Sequence, residues 1–592
     1  MRFFEKYLSL LVLLRNKVFG TNSLDECMDR RYCWQSVCSR TTVWGYVLGL
    51  MKTVSVKILC FLAAVSIVGL GGGCDEAGRT GGRSKLLEAP ADLGPTIGSL
   101  AAIYSPESVT VEGYGLVGGL EGTGSSECPP AIRAYLKRYI LKQVPDQRID
   151  VDKLIDSMNT AVVQVVGQVP SLEAKERRFD VIVGALSGTQ TTSLEGGWLY
   201  GAELRVAGRM GAAAMAAGNV AGPVLTDPFG GLATNKRMGY VLGGAEVFDD
   251  YRISVVLNTP AYEVANSVRN RINERFGFDV AKAVTPARIE LSVPPKYAGQ
   301  RQRFVSLVNA TYMTENPEIT ARRISTHIRE LAASEDKHPS EIALEAIGNQ
   351  SLEKLSILLN SSSEDVRLHA ARCMLSLGGG EALSTLIEIA MRAGSNLRVE
   401  AMDALADYAN RSDASAILRR LLGDSDFGIR IAAYERLLRL EDVSVSREYV
   451  GRSFYLDEVV AGQYKGIYVS RSGQPRIALF GAPIRCRENV FVQSEDGTIV
   501  LNAPRGQNYV SVIRKQPRLG GVVGHLRSSH DLADIIRALC SEPSARSDKE
   551  VGGLGVSYSQ MIALVKQLSD KGAVGAEFRA GPMPKIGVNI KK

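Results

Sequence analysis

The chain has 592 residues, too many for one hydrophobic core and enough for about three or four domains. At 45% hydrophobic and 22% charged, its composition excludes a disordered chain, and its 59 glycines point to many turns and β connections. Nine basic and four acidic residues precede Cys74; without them the formal charge of +7 becomes +2, from 61 basic against 59 acidic groups, which leaves no electrostatic case for nucleic acid or an anionic membrane surface.

In chain order, the first recognisable signal is not at residue 1. Met51, Lys52 and Lys57 form a short basic region, Ile58 to Leu70 is almost wholly apolar, and Gly71-Gly72-Gly73-Cys74 follows. This apolar run is too short to span a bilayer as a helix, which needs about 20 residues. Basic region, apolar core and small residues together read as a signal peptide, so the chain is expected to be exported. The Gly-Gly-Cys ending resembles a lipoprotein signal and makes Cys74 a candidate for lipidation, although Gly71 stands where a large aliphatic residue is usual. Met51 is then the natural start, and residues 1–50 read as a mis-assigned extension. Cys27, Cys33 and Cys38 within it lack zinc-ligand spacing. Beyond Cys74, the cysteines Cys128, Cys373, Cys486 and Cys540 either form two disulfides in an oxidising compartment or stay free and buried.

Residues 75–96 are rich in Gly, Ala and Pro and read as a linker. Strands are then expected at Val109–Glu112, Ala161–Val169, around Phe179–Val183, at Tyr251–Leu257 and at Arg288–Val293. Helices are expected at Ala131–Gln143 and Tyr262–Phe276, the second with Ala265, Val268, Ile272 and Phe276 on one face. This irregular mixture predicts an α+β fold rather than a doubly wound sheet.

From about 338 to 444 the pattern turns helical. Asp365-Val366-Arg367 with Ala370-Ala371 recurs as Asn396-Leu397-Arg398 with Ala401-Met402, and again as Gly428-Ile429-Arg430 with Ala432-Ala433. Met374, Leu405 and Leu437 each lie seven residues after their arginine. A period near 30 of this kind resembles HEAT repeats, a short all-α solenoid in which the arginines make contacts between repeats. After 445 the chain is β-rich again. Near its end, Ser557 and Gln560 predict a capping box, Met561, Leu564, Val565 and Leu568 one helical face, and Ala573–Phe578 a strand.

The glycine-rich segment Gly113-Tyr114-Gly115-Leu116-Val117-Gly118-Gly119-Leu120-Glu121-Gly122-Thr123-Gly124 contains GxGxxG at Gly113, Gly115 and Gly118. A dinucleotide site needs a helix to begin there. Gly119, Gly122 and Gly124 oppose that, each costing about 1 kcal/mol in a helix, and no Lys follows to make a phosphate loop. The five histidines, His327, His338, His369, His525 and His530, form no HExxH or other close pair. His369 is expected on a helix surface, and His530-Asp531 at a helix start. No GxSxG nucleophile elbow is present.

The same segment resembles the GYGLVxGLxGTG motif of flagellar P-ring proteins. The resemblance continues in order through Asn159–Pro170, through Arg178-Phe179-Asp180-Val181 and Ser193-Leu194-Glu195-Gly196-Gly197, through Tyr251–Pro294, and at the far end through Leu554–Glu577. It covers about 97–315 and about 552–580. The helical block departs from the family, residues 445–550 match it loosely, and a lipidation-like Cys74 is unusual for it. The implied plan is an extension at 1–50, a signal peptide at 51–74, a linker at 75–96, a P-ring-like α+β region at 97–335, HEAT-like repeats at 336–444 and a β-rich C-terminal region at 445–592. The resemblance implies a non-enzymatic structural subunit without a cofactor, in a homo-oligomeric periplasmic ring around the flagellar rod, beside peptidoglycan and the outer-membrane ring. It also makes Gly113, Tyr114, Gly115, Gly118, Gly119, Gly122 and Gly124 an expected assembly motif, in which a bulky residue at Gly118 or Gly119 abolishes the ring but not export. The alternative is a lipid-anchored envelope adaptor whose repeats bind another protein.

Overall fold

The computed structural model describes residues 93–104, 109–143, 150–169, 178–207, 216–229, 235–248, 253–515, 521–543, 552–584 and 586. The extension, the signal peptide with Cys74, most of the linker, and Pro170 lie outside the described residues. Among the described residues no helix is long and apolar enough to cross a membrane.

A short helix α1 (Ile97–Leu100) leads into β1 (Ala101–Tyr104), and then β2 (Val109–Gly118) opens a closed six-stranded barrel. Helices α2 (Pro130–Gln143) and α3 (Val151–Ile155) follow β2. They precede β3 (Thr160–Val169), β4 (Arg178–Ala185), β5 (Trp198–Val206), β6 (Ala216–Pro223) and β7 (Met238–Val247). The strand order is β2-β3-β4-β7-β6-β5, every neighbouring pair antiparallel. β3 is apolar on both faces for a physical reason. Ala161, Val163, Val165 and Val169 fill the barrel, while Val162 turns out beneath α2 and α3, against Leu136 and Ile155. Burying each such valine contributes about 1.5–3 kcal/mol.

The next unit is a four-stranded antiparallel sheet of order β1-β8-β10-β9, with β8 (Ile253–Leu257), β9 (Ala281–Thr285) and β10 (Arg288–Leu291). Helix α4 (Tyr262–Phe276) has the expected bounds, and Ala265, Val268 and Ile272 are fully buried. Together with α5 (Arg301–Ala310) it covers one face of the sheet.

Helices then alternate between two layers. The first holds α6 (Pro317–Ala333), α8 (Leu352–Leu358), α10 (Leu383–Met391) and α12 (Arg411–Leu421). The second holds α7 (His338–Ile347), α9 (Glu364–Ser376), α11 (Arg398–Tyr408) and α13 (Phe427–Arg439). Helical packing therefore starts before residue 336, because Ile324 and Leu331 of α6 share the core of the later helices. The recurring arginines bond their own turns, and one of them also reaches the next repeat. Arg367 donates to the Ser361 and Ser362 carbonyls, and Arg430 in the same way to those of Asp424 and Ser425. Arg398 donates to the Ala390 carbonyl and pairs with Asp424. Each ties down the turn that delivers its own helix, and Arg398 also joins that turn to the next repeat through Asp424, the inter-repeat contact expected of these arginines.

The C-terminal region contains two sheets. One is mixed, of order β11-β12-β14-β13-β19, with β11 (Val445–Val450), β12 (Phe454–Val459), β13 (Gly466–Val469), β14 (Arg476–Phe480) and β19 (Glu577–Ala580). The other is antiparallel, from β15 (Val490–Gln493) through β16 (Ile499–Ala503) and β17 (Val510–Lys515) to β18 (Val522–Ser528). Helices α14 (Leu532–Cys540) and α15 (Tyr558–Asp570) fill the core they share. Asp531 caps α14, as the sequence predicts, and Ser557 with Gln560 forms the predicted capping box on α15. Met561, Leu564, Val565 and Leu568 are fully buried. The final strand starts later than the apolar pattern suggests. Ala573 donates back to the Leu568 carbonyl to close the helix, so the chain extends only from Glu577.

At the junction of the helices with this region, the buried Asp457 accepts from Tyr434 and from Nε and Nη2 of Arg447, at 2.8 and 2.9 Å for the arginine. Tyr434→Phe removes a hydrogen bond to a charged group. It should cost about 1.5–3 kcal/mol in urea unfolding, with the Arg447 pair keeping the carboxylate satisfied.

Candidate functional site

The glycine-rich segment is a barrel wall followed by a turn. The short strand expected at Val109–Glu112 extends as β2 through Gly118. Glycine is a poor strand former, but tertiary packing demands it here. A Cβ on Gly113 would lie 2.3 Å from the Glu203 carbonyl oxygen on β5. On Gly115 it would meet Leu199 and Ala202 at 2.8 and 3.0 Å, and on Gly118 the Tyr200 phenol. Tyr114, half-buried, lies opposite Gln164 of β3. Beyond the strand, Gly119 and Gly122 take φ +78 and +85, and Gly124 presses on the next backbone, where a Cβ would be 2.0 Å from the Thr160 oxygen. No helix starts here, since α2 begins only at Pro130. The geometry for pyrophosphate at a helix N-terminus is therefore missing from this GxGxxG.

The structure brings together a polar cluster that sequence reasoning missed. Glu341 on α7 is fully buried. It pairs with Arg303 of α5 and with Arg372 of α9, and His369 of α9 bonds its Oε2. Arg303 also pairs with Glu345, one turn along α7, and Arg275 of α4 donates to the Glu345 and Ala346 carbonyls. Burial alone would raise the Glu341 carboxyl, but Arg303, Arg372 and His369 outweigh it and hold the group well below the usual range. Burial lowers His338 nearby. His369 is thus turned toward Glu341 rather than displayed on a helix surface, as the sequence suggested. The available signal was Glu341 and Glu345, four residues apart in the otherwise apolar stretch Glu341–Ile347, where charges need partners.

The other histidines are dispersed. His327 bonds Tyr312 and Glu330, His525 bonds Ser511 at 2.7 Å on the exposed face of β17–β18, and His530 faces the Cys486 and Gln507 carbonyls. Among the described residues no carboxylate bonds His525, and no group of three or more His, Cys, Asp or Glu is placed to hold a metal ion. Cys128, Cys373, Cys486 and Cys540 are free thiols, and burial pushes Cys486 up to about 11.

The barrel docks on the C-terminal region through polar contacts. Asp180 of β4 accepts from the Gly243 and Gly473 amides, Ser559 of α15 accepts from the Thr226 amide, and Arg471 pairs with Asp227. A groove of about 540 Å³ runs along this junction, lined by Glu195, Lys236, Asp496 and Lys566 among others. Lys236 is paired with Glu195 and Lys566 with Asp570, so these cations are already matched.

The class defined is a multidomain α+β scaffold whose singular motif shapes a barrel wall. Residues 96–324 match the family model described as flagellar P-ring protein. It is similar to the flagellar P-ring protein of Thermotoga maritima, 31% identical over 228 residues, covering 36% of this chain and 63% of the relative. The Aquifex aeolicus protein of the same name is 30% identical, covering 36% and 61%. That of Campylobacter jejuni is 29% identical over 192 residues, covering 31% and 53%. The chain thus spans less than two thirds of the length of these relatives.

Proposed function

We propose that this protein is a structural subunit of a flagellar P ring, assembling with copies of itself in the periplasm, around the rod and beside peptidoglycan and the outer-membrane ring proteins. It acts as a bushing and catalyses no reaction. The observation that carries this reading is the match of residues 96–324 to the P-ring family. A packed, glycine-walled barrel supports it, because a bushing needs stiffness more than a cleft. In this reading the region at 97–335 and the β-rich region at 445–592 belong to the ring, and the HEAT-like repeats at 336–444 are an insertion between them. Gly113, Gly115 and Gly124 serve the subunit fold. Gly119, at the exposed end of the motif, stands where a neighbour can approach.

Electron microscopy of basal bodies carrying the tagged protein tests this. Label in the ring and lost motility on deletion are expected; label absent from the rings with motility intact would overturn it. The two helical layers, which continue past residue 324, favour a second reading. In it a P-ring-like domain serves a lipid-anchored adaptor, held through Cys74, and the repeats bind another envelope protein.

A further inference from the structure

The sheet β1-β8-β10-β9 ends in two strands that have only one β partner each among the described residues. Successive pairs are antiparallel, so with four strands the edges β1 and β9 run in opposite directions. A second copy placed beside the first, in the same orientation, can therefore set its β1 antiparallel to the first copy's β9. Such a head-to-tail contact can repeat and close into a ring.

Hydrogen-bond parity fixes the register. Asn258 donates to the Leu100 carbonyl, so the even residues of β1 bond β8, and Ile103 turns its N–H and C=O outward. Ser292 donates to the Val280 carbonyl, so Lys282 bonds β10, and Ala283 turns both groups outward. The neighbouring outward groups are already used. Ala101 donates to Ile97, and the Asn273 side-chain amide takes both polar groups of Ala281. Ile103 opposite Ala283 is then the pair that exchanges two hydrogen bonds. This register also matches the faces. Ile103 and Ala283 both pack toward the core under α4 and α5, while Tyr104 (62% exposed) comes opposite the exposed Lys282 on the outer face. There the lysine stem and charge can cover the phenol ring.

We propose that β9 of one copy pairs antiparallel with β1 of the next, Ile103 against Ala283, to make a sheet continuous between subunits. The inference rests on the ring reading above for its closed, repeating form.

The test uses the full chain with Cys27, Cys33, Cys38, Cys60, Cys74 and Cys128 replaced by Ser as background, which leaves only the buried Cys373, Cys486 and Cys540. Tyr104→Cys with Lys282→Cys places two thiols in a non-hydrogen-bonded pair, with Cβ atoms about 4.5–5.5 Å apart. Mild oxidation should give a ladder of covalent multimers that collapses on reduction, while each single variant should give none. Ala283→Pro removes the outward N–H at an edge, where proline is tolerated. It should abolish assembly while the thermal unfolding of the monomer stays close to that of the parent. Wild-type rings in basal bodies, with no ladder and with rings still formed by Ala283→Pro, would overturn the pairing and leave the ring reading standing. A ladder from purified protein whose label is absent from basal bodies would keep the pairing and overturn the ring reading.

Discussion

Glu341→Ala should destabilise the packing between the sheet unit and the helical layers by about 3–5 kcal/mol, because it strands the buried Arg372 without its counter-ion and leaves Arg303 with Glu345 alone. Arg303 and Arg372 are both pinned by this one carboxylate, from α5 and α9, on either side of α7. The chain has several cores and need not unfold in one step, so the measurement is amide hydrogen exchange along α7 and α9. Protection there should fall while the barrel strands keep theirs. Glu341→Gln keeps the shape and loses the charge, and should fall between the parent and the alanine variant. The pH dependence has a definite sign. The folded carboxyl lies well below its ordinary value of 4.5, so its stabilisation is fully present above that value. It is lost as pH falls through the depressed folded value. Protection in α7 should be flat across neutral pH and fail only in acid.

Gly124→Ala should destabilise the closed barrel. Its Cβ would lie 2.0 Å from the Thr160 oxygen and 2.7 Å from that of Met158. Those carbonyls cannot step aside, since they accept from the Ser125 and Gly124 amides at 2.9 Å. Overpacking ordinarily costs about 1–3 kcal/mol, and a rigid backbone obstacle puts this site at the top of that range. Gly188→Ala is the control. It has φ +86 with nothing within 4 Å of the added carbon, so only backbone strain of about 1–2 kcal/mol applies. Circular dichroism melts of the two variants should separate them, with Gly124→Ala the lower. A Gly124→Ala monomer as stable as the control would show that the approach to Thr160 is not what requires glycine.

Much of the local structure was legible in the residues. Helix α4 could be read from the spacing of Ala265, Val268 and Ile272, because a helix packed on one sheet face needs only one apolar stripe. The capping box at Ser557 and the helix start at Asp531 were legible because capping depends on a few adjacent atoms. The recurrence at Arg367, Arg398 and Arg430 announced repeated helix pairs, since each unit solves the same packing problem. Only the first residues of β2 are legible as strand, because its glycines have low strand propensity and only contacts with Glu203, Leu199 and Tyr200, some 80 to 90 residues away in sequence, require them.

The Glu341 cluster was not legible for a similar reason. Arg303, Glu341 and Arg372 look like ordinary surface charges until α7 is buried between two units. By itself, the sequence determined the α+β class, most of the helices and strands, and the P-ring resemblance over its first large region, because these rest on short-range periodicity and local motif order. Only the tertiary structure decided that the glycine-rich motif is a barrel wall, that α7 and α13 are wedged at the two ends of the helical layers, and that β1 and β9 remain as opposed edges. Those features depend on which distant backbones approach each other, and no local pattern of residues records that.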